Sequence, residues 1–546
     1  MIRKTLLFLS LVLVFTMLTL AACSPNDETE KDKNEEIEPI VTKNGEFPIV
    51  EEEVTLDVLI PSNSEVEDFE TNAFTKWYEE KTGVNINWEV IPEEGAKEKL
   101  NLILISGDYP DVIMHMGLTP AQLRVYGEKG IFLSLNDMID EYGIESKKML
   151  QNMPMVKNGI TTPEGEIYAL PQVNECFHCS VSQKMWIYKP WLDKLGLDIP
   201  TTTEEFYNVM KAFKTEDPNG NGKADEIPLS GMKNAWHEKV SGFLMDPFIY
   251  SDMYVKGDTI AVPWNKPEWK EGLEYLNKMY SDGLIYSGSF TQGTEQFKKL
   301  GENPGEAILG AAPAATRGFF SDVDITSDDA RGPDFVVVPP LEGPNGQRIA
   351  LHEPTAITVP AEFVITNNAE HPDVAFRWAD AMYQEEITRR SVIGRPGKGW
   401  KEAEEGQIGL NGEPATWTLI PAEEKEDNAA WIQTGPSLRT KEFRSGKAVP
   451  EGSQEAVLWN ASKKYEPYIS ETINPVPPLF FTEEQSVEMA TIEKTITDYV
   501  DEMTAKFIIG DASLEEDWEE YIATLKSMGI ERYVEIYQSA YNEKYK

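Results

Sequence analysis

At 546 residues the chain is too long for one compact core, so two or more domains are expected, each burying its own apolar interior. A formal net charge of -43, with no clustered lysines or arginines, excludes a nucleic-acid partner, which would need basic side chains to neutralise phosphates. The same field disfavours strongly polyanionic ligands, which only a local basic pocket could hold, and it suits a soluble body outside the cell.

Arg3 and Lys4 precede an almost wholly apolar run from Leu6 to Leu20, and then comes "LAAC", Leu20 to Cys23. A run of about fifteen residues is short for a bilayer span and has the make-up of an export signal. Its close on small residues and a cysteine resembles the lipobox of bacterial lipoproteins. That resemblance implies a signal peptide over 1–23, acylation of Cys23 with palmitate, and a tether to the outer face of the cytoplasmic membrane. The alternative is an ordinary secreted protein with an incidental cysteine. Residues 24–53, rich in charge and almost free of aromatics, read as a disordered acidic linker.

Val54 to Pro61 alternates apolar residues and predicts a strand; Phe69, Ala73, Phe74, Trp77 and Tyr78 follow at helical spacing, with Gly83 as the stop. "VNINWEVIP" predicts a second strand, "AKEKLNLILISG" a helix and "PDVIMH" a third strand, the alternation of a parallel sheet with right-handed crossovers. In "NECFHCS", Cys176 and Cys179 flank His178. Structural zinc needs four ligands and a redox motif needs a helix after a strand, so a local disulfide or two plain thiols are the stronger readings. An oxidising compartment favours the disulfide.

Thr201 to Thr203, with Glu204 and Glu205 in the first turn, predicts a helix start, and Phe206, Val209, Met210 and Phe213 form its core stripe. Alternation returns near Ala356 in "AITVPAEFVIT", and a string of helices follows Thr482. A domain left and later re-entered implies two connections between lobes, the geometry of a hinge.

Several stretches, in order, resemble the family 1 extracellular solute-binding proteins of ABC importers, especially the large Gram-positive lipoproteins related to alginate-oligosaccharide-binding proteins. They are "LAAC", "LISGDYPDVI" at 104–113, "EGEIYALP" at 164–171, the long block 186–229, "FVIT" with "HPDVAFRWADAMY", and "AKFIIGDASLEEDWEEYIATLKSMGIERYVEIYQ" at 505–538. The resemblance implies a two-lobed α/β fold of the type II periplasmic-binding kind, each lobe a sheet flanked by helices, with a helical C-terminal extension. The first lobe is placed at 54–168 plus 340–395 and the second at 169–339 plus 396–546. It further implies a monomer that closes on an oligosaccharide at the hinge and presents it to importer permease subunits.

The loop "DPNGNGKADEIP", 217–228, sits inside the long block. Against a twelve-residue calcium loop it offers Asp217, Asn219, Asn221, the Lys223 carbonyl and Asp225 at positions 1, 3, 5, 7 and 9, with Gly222 at 6. Position 12 is Pro228, without a carboxylate; the resemblance gives Glu226, beside Asp225, the missing ligand role. A structural Ca²⁺ is expected, against the plainer reading of a glycine-rich turn.

Sugar recognition needs aromatic faces and polar groups. Trp186, Trp236, Trp400 and Trp459, set among polar or glycine residues, are the candidate stacking rings, with Arg317 and Arg395 as clamps. Two other readings are a receptor for an extracytoplasmic sensor kinase or for a peptide, and a secreted polysaccharide-degrading enzyme. The enzyme reading lacks any nucleophile elbow, zinc helix or distinct carboxylate pair.

Overall fold

A computed structural model describes residues 41–233, 237–327, 329–353, 357–421 and 424–546. The signal segment, Cys23 and Trp236 lie outside the described residues. The two lobes belong to one unit, Ile40–Lys546.

The first lobe opens with strands β1 (Val54–Pro61), β2 (Val84–Ile91), β3 (Val112–Met114) and β4 (Leu170–Asn174). β1 is buried continuously from Val58, as a central strand covered on both faces must be. The helix Ala73–Thr82 begins where the Asn72 side chain accepts the Phe74 N–H and ends at Gly83, whose φ of 75° a residue with a Cβ rarely adopts. The chain crosses to the second lobe with β5 (Met185–Tyr188), β6 (Ile227–Leu229), the hairpin β7 (Tyr254–Lys256) and β8 (Thr259–Ala261), β9 (Leu309–Pro313) and β10 (Phe335–Val338). It returns with β11 (Ile357–Ile365), β12 (Trp400–Glu402), β13 (Trp417–Leu419) and β14 (Ser437–Arg439), then continues through β15 (Lys447–Ala448) and β16 (Ile473–Pro475).

The first sheet has the order β14-β4-β11-β3-β1-β2, and the second β10-β5-β9-β6. Pairing makes β1, β2, β3, β4 and β14 run the same way with β11 against them, so their carboxyl ends share one edge. In the second sheet the start of β5 pairs with the ends of β9 and β10, which sets these ends on one edge too. The connections β4–β5 and β10–β11 leave and enter at these edges, and a third runs from β14 through β15, which pairs with β13, to the helix Gln454–Tyr465, whose Leu458 and Tyr465 pack in the second core. The sequence implied two connections; the third arises because β14 belongs to the first sheet.

Each lobe has its own core. Val58, Val112, Phe363, Trp378 and Trp431 lie in the first, and Trp186, Phe206, Leu244, Leu273 and Phe320 in the second. Three expected boundaries are corrected. Residues 396–439 do not all belong to the second lobe, since Trp431 fills the first core and β14 pairs with β4. Residues 340–353 are not first-lobe, since Leu341 and Ala350 pack in the second core. The linker is not a free leash to residue 53. Ile49 and Val50 are buried in the first core, Val41 bridges Val50, and Arg377 donates to the carbonyls of Thr42 and Ile49 at 2.6 and 3.1 Å. Two adjacent apolar side chains with a buried arginine as partner suffice to dock an otherwise charged stretch.

The helices Glu483–Ile509, Trp518–Ser527 and Ile530–Tyr545 form the C-terminal extension. Ile496, Phe507, Tyr521 and Ile536 bury them in the second core. Polar ties hold the far end to the first lobe. Arg124, on the helix Pro120–Glu128, donates to the Phe480 carbonyl at 3.0 Å and to Glu543 at 2.8 Å, and Lys544 donates to the Thr161 carbonyl. No helix among the described residues is long and apolar enough to cross a membrane.

Candidate functional site

The carboxyl edge of the first sheet carries a cavity of about 450 Å³ lined by Asn63, Glu93, Lys97 and His115, the loops that follow β1, β2 and β3. His115 has a φ of 58° and sets its Nδ1 3.0 Å from the fully buried Glu362 carboxylate. Burial alone would lower its pKa, but the Glu362 carboxylate outweighs that and raises it. Glu362, raised by burial, also accepts the Gly435 N–H. The imidazole is thereby held in place at the edge with Nε2 left for another partner.

A larger cavity, about 1160 Å³, has walls from both lobes. Pro120, Met155 and Asn158 come from first-lobe helices, whose Leu123, Val156 and Ile160 are core residues. Asp252, Trp264 and the β10–β11 connection, through His352 and Glu353, come from the second lobe. The C-terminal extension adds Tyr533, Tyr537 and Glu493. An adjoining cavity of about 300 Å³ shares Asp252, Trp264 and Glu353 and reaches Gln183, His237 and Trp269; the Trp269 indole N–H has no acceptor. Aromatic faces alternate here with carboxylates and an unspent donor, the chemistry that grips sugar rings and their hydroxyls.

Ser182, His237 and Glu353 invite comparison with a hydrolytic triad. Ser182 Oγ lies 2.6 Å from His237 Nε2, but the Glu353 carboxylate approaches that same nitrogen at 3.8 Å. A relay needs the acid on one imidazole nitrogen and the nucleophile on the other, so the group does not have triad geometry. Burial holds His237 down to about 3 and pushes Glu353, with Asp252 nearby, up to about 7.

Of the six ligand contacts expected from the sequence, Trp236 lies outside the described residues and the structure disperses the other five. Trp186 is fully buried in β5, its indole donating to the Ala314 carbonyl at 2.9 Å; it is a core ring and not a sugar platform. Arg317 is buried as well, bonding the Gly332 carbonyl at 2.8 Å and Gln454 at 3.0 Å, so its guanidinium is spent internally. Arg395 pairs with Glu426 at 2.8 Å on the surface. Trp400 lies under the Arg389 guanidinium, 4.3 Å from its ring centre. Trp459, on the helix Gln454–Tyr465, packs against Phe177 at 4.8 Å. Trp264, Tyr533 and Tyr537 were missed. Tyr533 and Tyr537 are one helical turn apart and look like a core stripe, and only tertiary packing turns them to a cavity.

The loop 217–228 links the helix Thr203–Thr215 to β6. Asp217 accepts the N–H groups of Gly220 and Gly222, each at 3.1 Å, while Asn219 and Asn221 accept those of Asn221 and Lys223. Both asparagine amides also turn to Asp225, at 2.9 and 3.1 Å. Glu226 Oε1 is buried without a partner, and its carboxyl is raised by burial and by the charges of Asp217 and Asp225. Three carboxylates in one short loop, one of them with an orphaned buried oxygen, fit a hard divalent cation in their donor chemistry. Asp217, Asn219, Asn221, the Lys223 carbonyl, Asp225 and Glu226 are the residues that would hold it, and it would supply charge compensation and loop rigidity.

Cys176 and Cys179 form a disulfide in the β4–β5 connection, which removes the thiols from metal or redox chemistry while it lasts. Nearby Lys184 is buried, donates to the His178 carbonyl at 3.1 Å, and is held down to about 7 by burial.

Residues 62–388, more than half of the chain, match the family described as bacterial extracellular solute-binding protein. A curated relative, the fructooligosaccharide ABC transporter substrate-binding protein FusA of Streptococcus pneumoniae, is 27% identical over 99% of this chain and 98% of its own. The structure of S. pneumoniae FusA in complex with kestose superposes with a TM-score of 0.73, at 26% identity over 90% of this chain and 99% of that one. A second FusA structure, an EF-hand mutant in complex with fructo-nystose, matches at 25% identity with a TM-score of 0.71, over the same shares of the two chains. The alginate-binding protein AlgQ2 without calcium ion shares the fold, at 22% identity and a TM-score of 0.66 over 92% of this chain and all of that one.

Proposed function

The chain belongs to the bacterial extracellular solute-binding proteins, receptors for transport and not enzymes, and on that footing we propose that it captures an oligosaccharide between its lobes and delivers it to an ABC importer. The observation that carries this reading is the cavity of about 1160 Å³ walled by both lobes and rimmed with Trp264, Tyr533 and Tyr537. It exceeds the roughly 300–1,000 Å³ of a drug-sized pocket, as a chain of several sugar rings requires. Closure works by population shift, because a ligand touching both lobes binds the closed form better than the open one. The relatives named for oligosaccharide transport support the ligand class.

A structural Ca²⁺ in the 217–228 loop and acylation of Cys23 complete the reading. The EF-hand mutant of FusA supports the first, and "LAAC" the second. Titration calorimetry against a broad panel of oligosaccharides tests the receptor role; heat from none of them, with peptides binding instead, would reject it.

A further inference from the structure

Resting on the reading of the interlobe cavity as the saccharide site, we propose that this receptor selects uncharged oligosaccharides and rejects uronate-bearing ones. Aromatic walls alone would accept either class, since every pyranose or furanose has an apolar face. Charge decides between them. Among the described residues lining the large cavity there is no lysine or arginine, while Asp252, Glu353 and Glu493 face it.

The adjoining cavity carries one lysine, Lys239, which is held by Asp501 at 2.8 Å; in the separate cavity at the edge of the first sheet Lys97 shares its wall with Glu93 and Glu98. A uronate carboxylate in the cleft would meet like charges in a partly dry site, with no guanidinium or ammonium to take it. Hydroxyls are suited to the same surface, because each carboxylate accepts two or more hydrogen bonds and the Trp269 N–H supplies a donor. Burial of Glu353 costs least when it is not asked to face a second anion.

The test is calorimetric titration of the full mature chain in calcium at about pH 8, where Glu353 is ionised, with two panels of two to six rings: neutral oligosaccharides and oligogalacturonates. The expected result is micromolar or tighter binding of at least one neutral sugar and at least about 100-fold weaker binding of every uronate. A uronate within tenfold of the best neutral ligand overturns the selectivity. Silence from both panels overturns the saccharide reading itself, which keeps the two failures apart. In Glu353→Gln and Glu493→Gln the ratio of uronate to neutral affinity should rise about tenfold; an unchanged ratio in both would show that these carboxylates do not set it.

Discussion

The guanidinium of Arg124, in the first lobe, lies 2.8 Å from the carboxylate of Glu543, close to the last residue of the chain. Glu128 and the Phe480 carbonyl complete its surroundings, each at 3.0 Å, and Glu164 makes a further contact. The extension that packs in the second core is thus fastened to the first. Arg124→Ala should destabilise by about 1–3 kcal/mol, because the arginine is buried while its acids are partly in water. Glu543→Gln should cost less than half of that in the same denaturant titration. Equal effects would mean that Glu543 alone carries the fastening.

Calcium should raise the thermal midpoint and EDTA should lower it. Glu226→Gln, which removes one of the loop's three carboxylate charges, should make the midpoint insensitive to EDTA while oligosaccharides of two to six rings keep their order of affinity. Identical melting curves with and without chelator in the parent chain would remove the metal.

The disulfide closes a very short loop, so its entropic effect is small. Replacing Cys176 and Cys179 together by Ser should cost about 2 kcal/mol at most. A larger loss, measured by urea unfolding, would mean that the connection is held mainly by that bond.

Asp246 and Glu353 should make stability fall as pH rises from about 4 to 8. Asp246, fully buried, is pushed up to about 8 by burial, against its ordinary 3.8. Glu353 is pushed up to about 7. A group raised on folding contributes stability that is complete below its unfolded value and lost as pH passes its folded value. The half-buried His178 and the buried His237 work in the opposite sense. Both are held down to about 3, so below about 6.5 the unfolded chain gains their protons first; this offsets the acids down to about 4, leaving a net fall from about 6.5 to 8 on the alkaline side and a loss below about 4 on the acid side. Asp246→Asn should flatten the alkaline slope, raising the midpoint at pH 9 by a few degrees relative to the parent. A parallel pair of curves would assign the slope to other groups.

Cys23→Ser should abolish incorporation of labelled palmitate and release the protein to the medium. Retention in the membrane fraction would point to another anchor.

The elements that could be read from the sequence are those whose pattern is local. The helix predicted at Thr201–Thr203 begins at Thr203, capped by Thr202, and buries Phe206, Val209, Met210 and Phe213 as the stripe requires. The strands at Val54, Val84 and Val112 likewise follow from alternation and flanking turns. The ligand residues failed because exposure is a tertiary property. Trp186 lies among apolar neighbours in a strand buried at every position, and nothing in "KMWIYKP" distinguishes a core ring from a cleft ring. Arg317 was read as a clamp from its charge alone, yet the Gly332 carbonyl and Gln454 come from farther along the chain to satisfy it. The donors proposed for calcium could be named from the sequence because all of them lie within one twelve-residue stretch.

The docking of Ile49 and Val50 has a bearing on how the receptor hangs from its membrane. The lipid proposed on Cys23 would pull on the first lobe, where Arg377 clasps the backbone at Thr42 and Ile49, and the stretch from Cys23 to Val41 could span at most about 65 Å. The first lobe would then be the moored half, and in the bilayer's frame of reference the proposed closure would be a swing of the second lobe toward it.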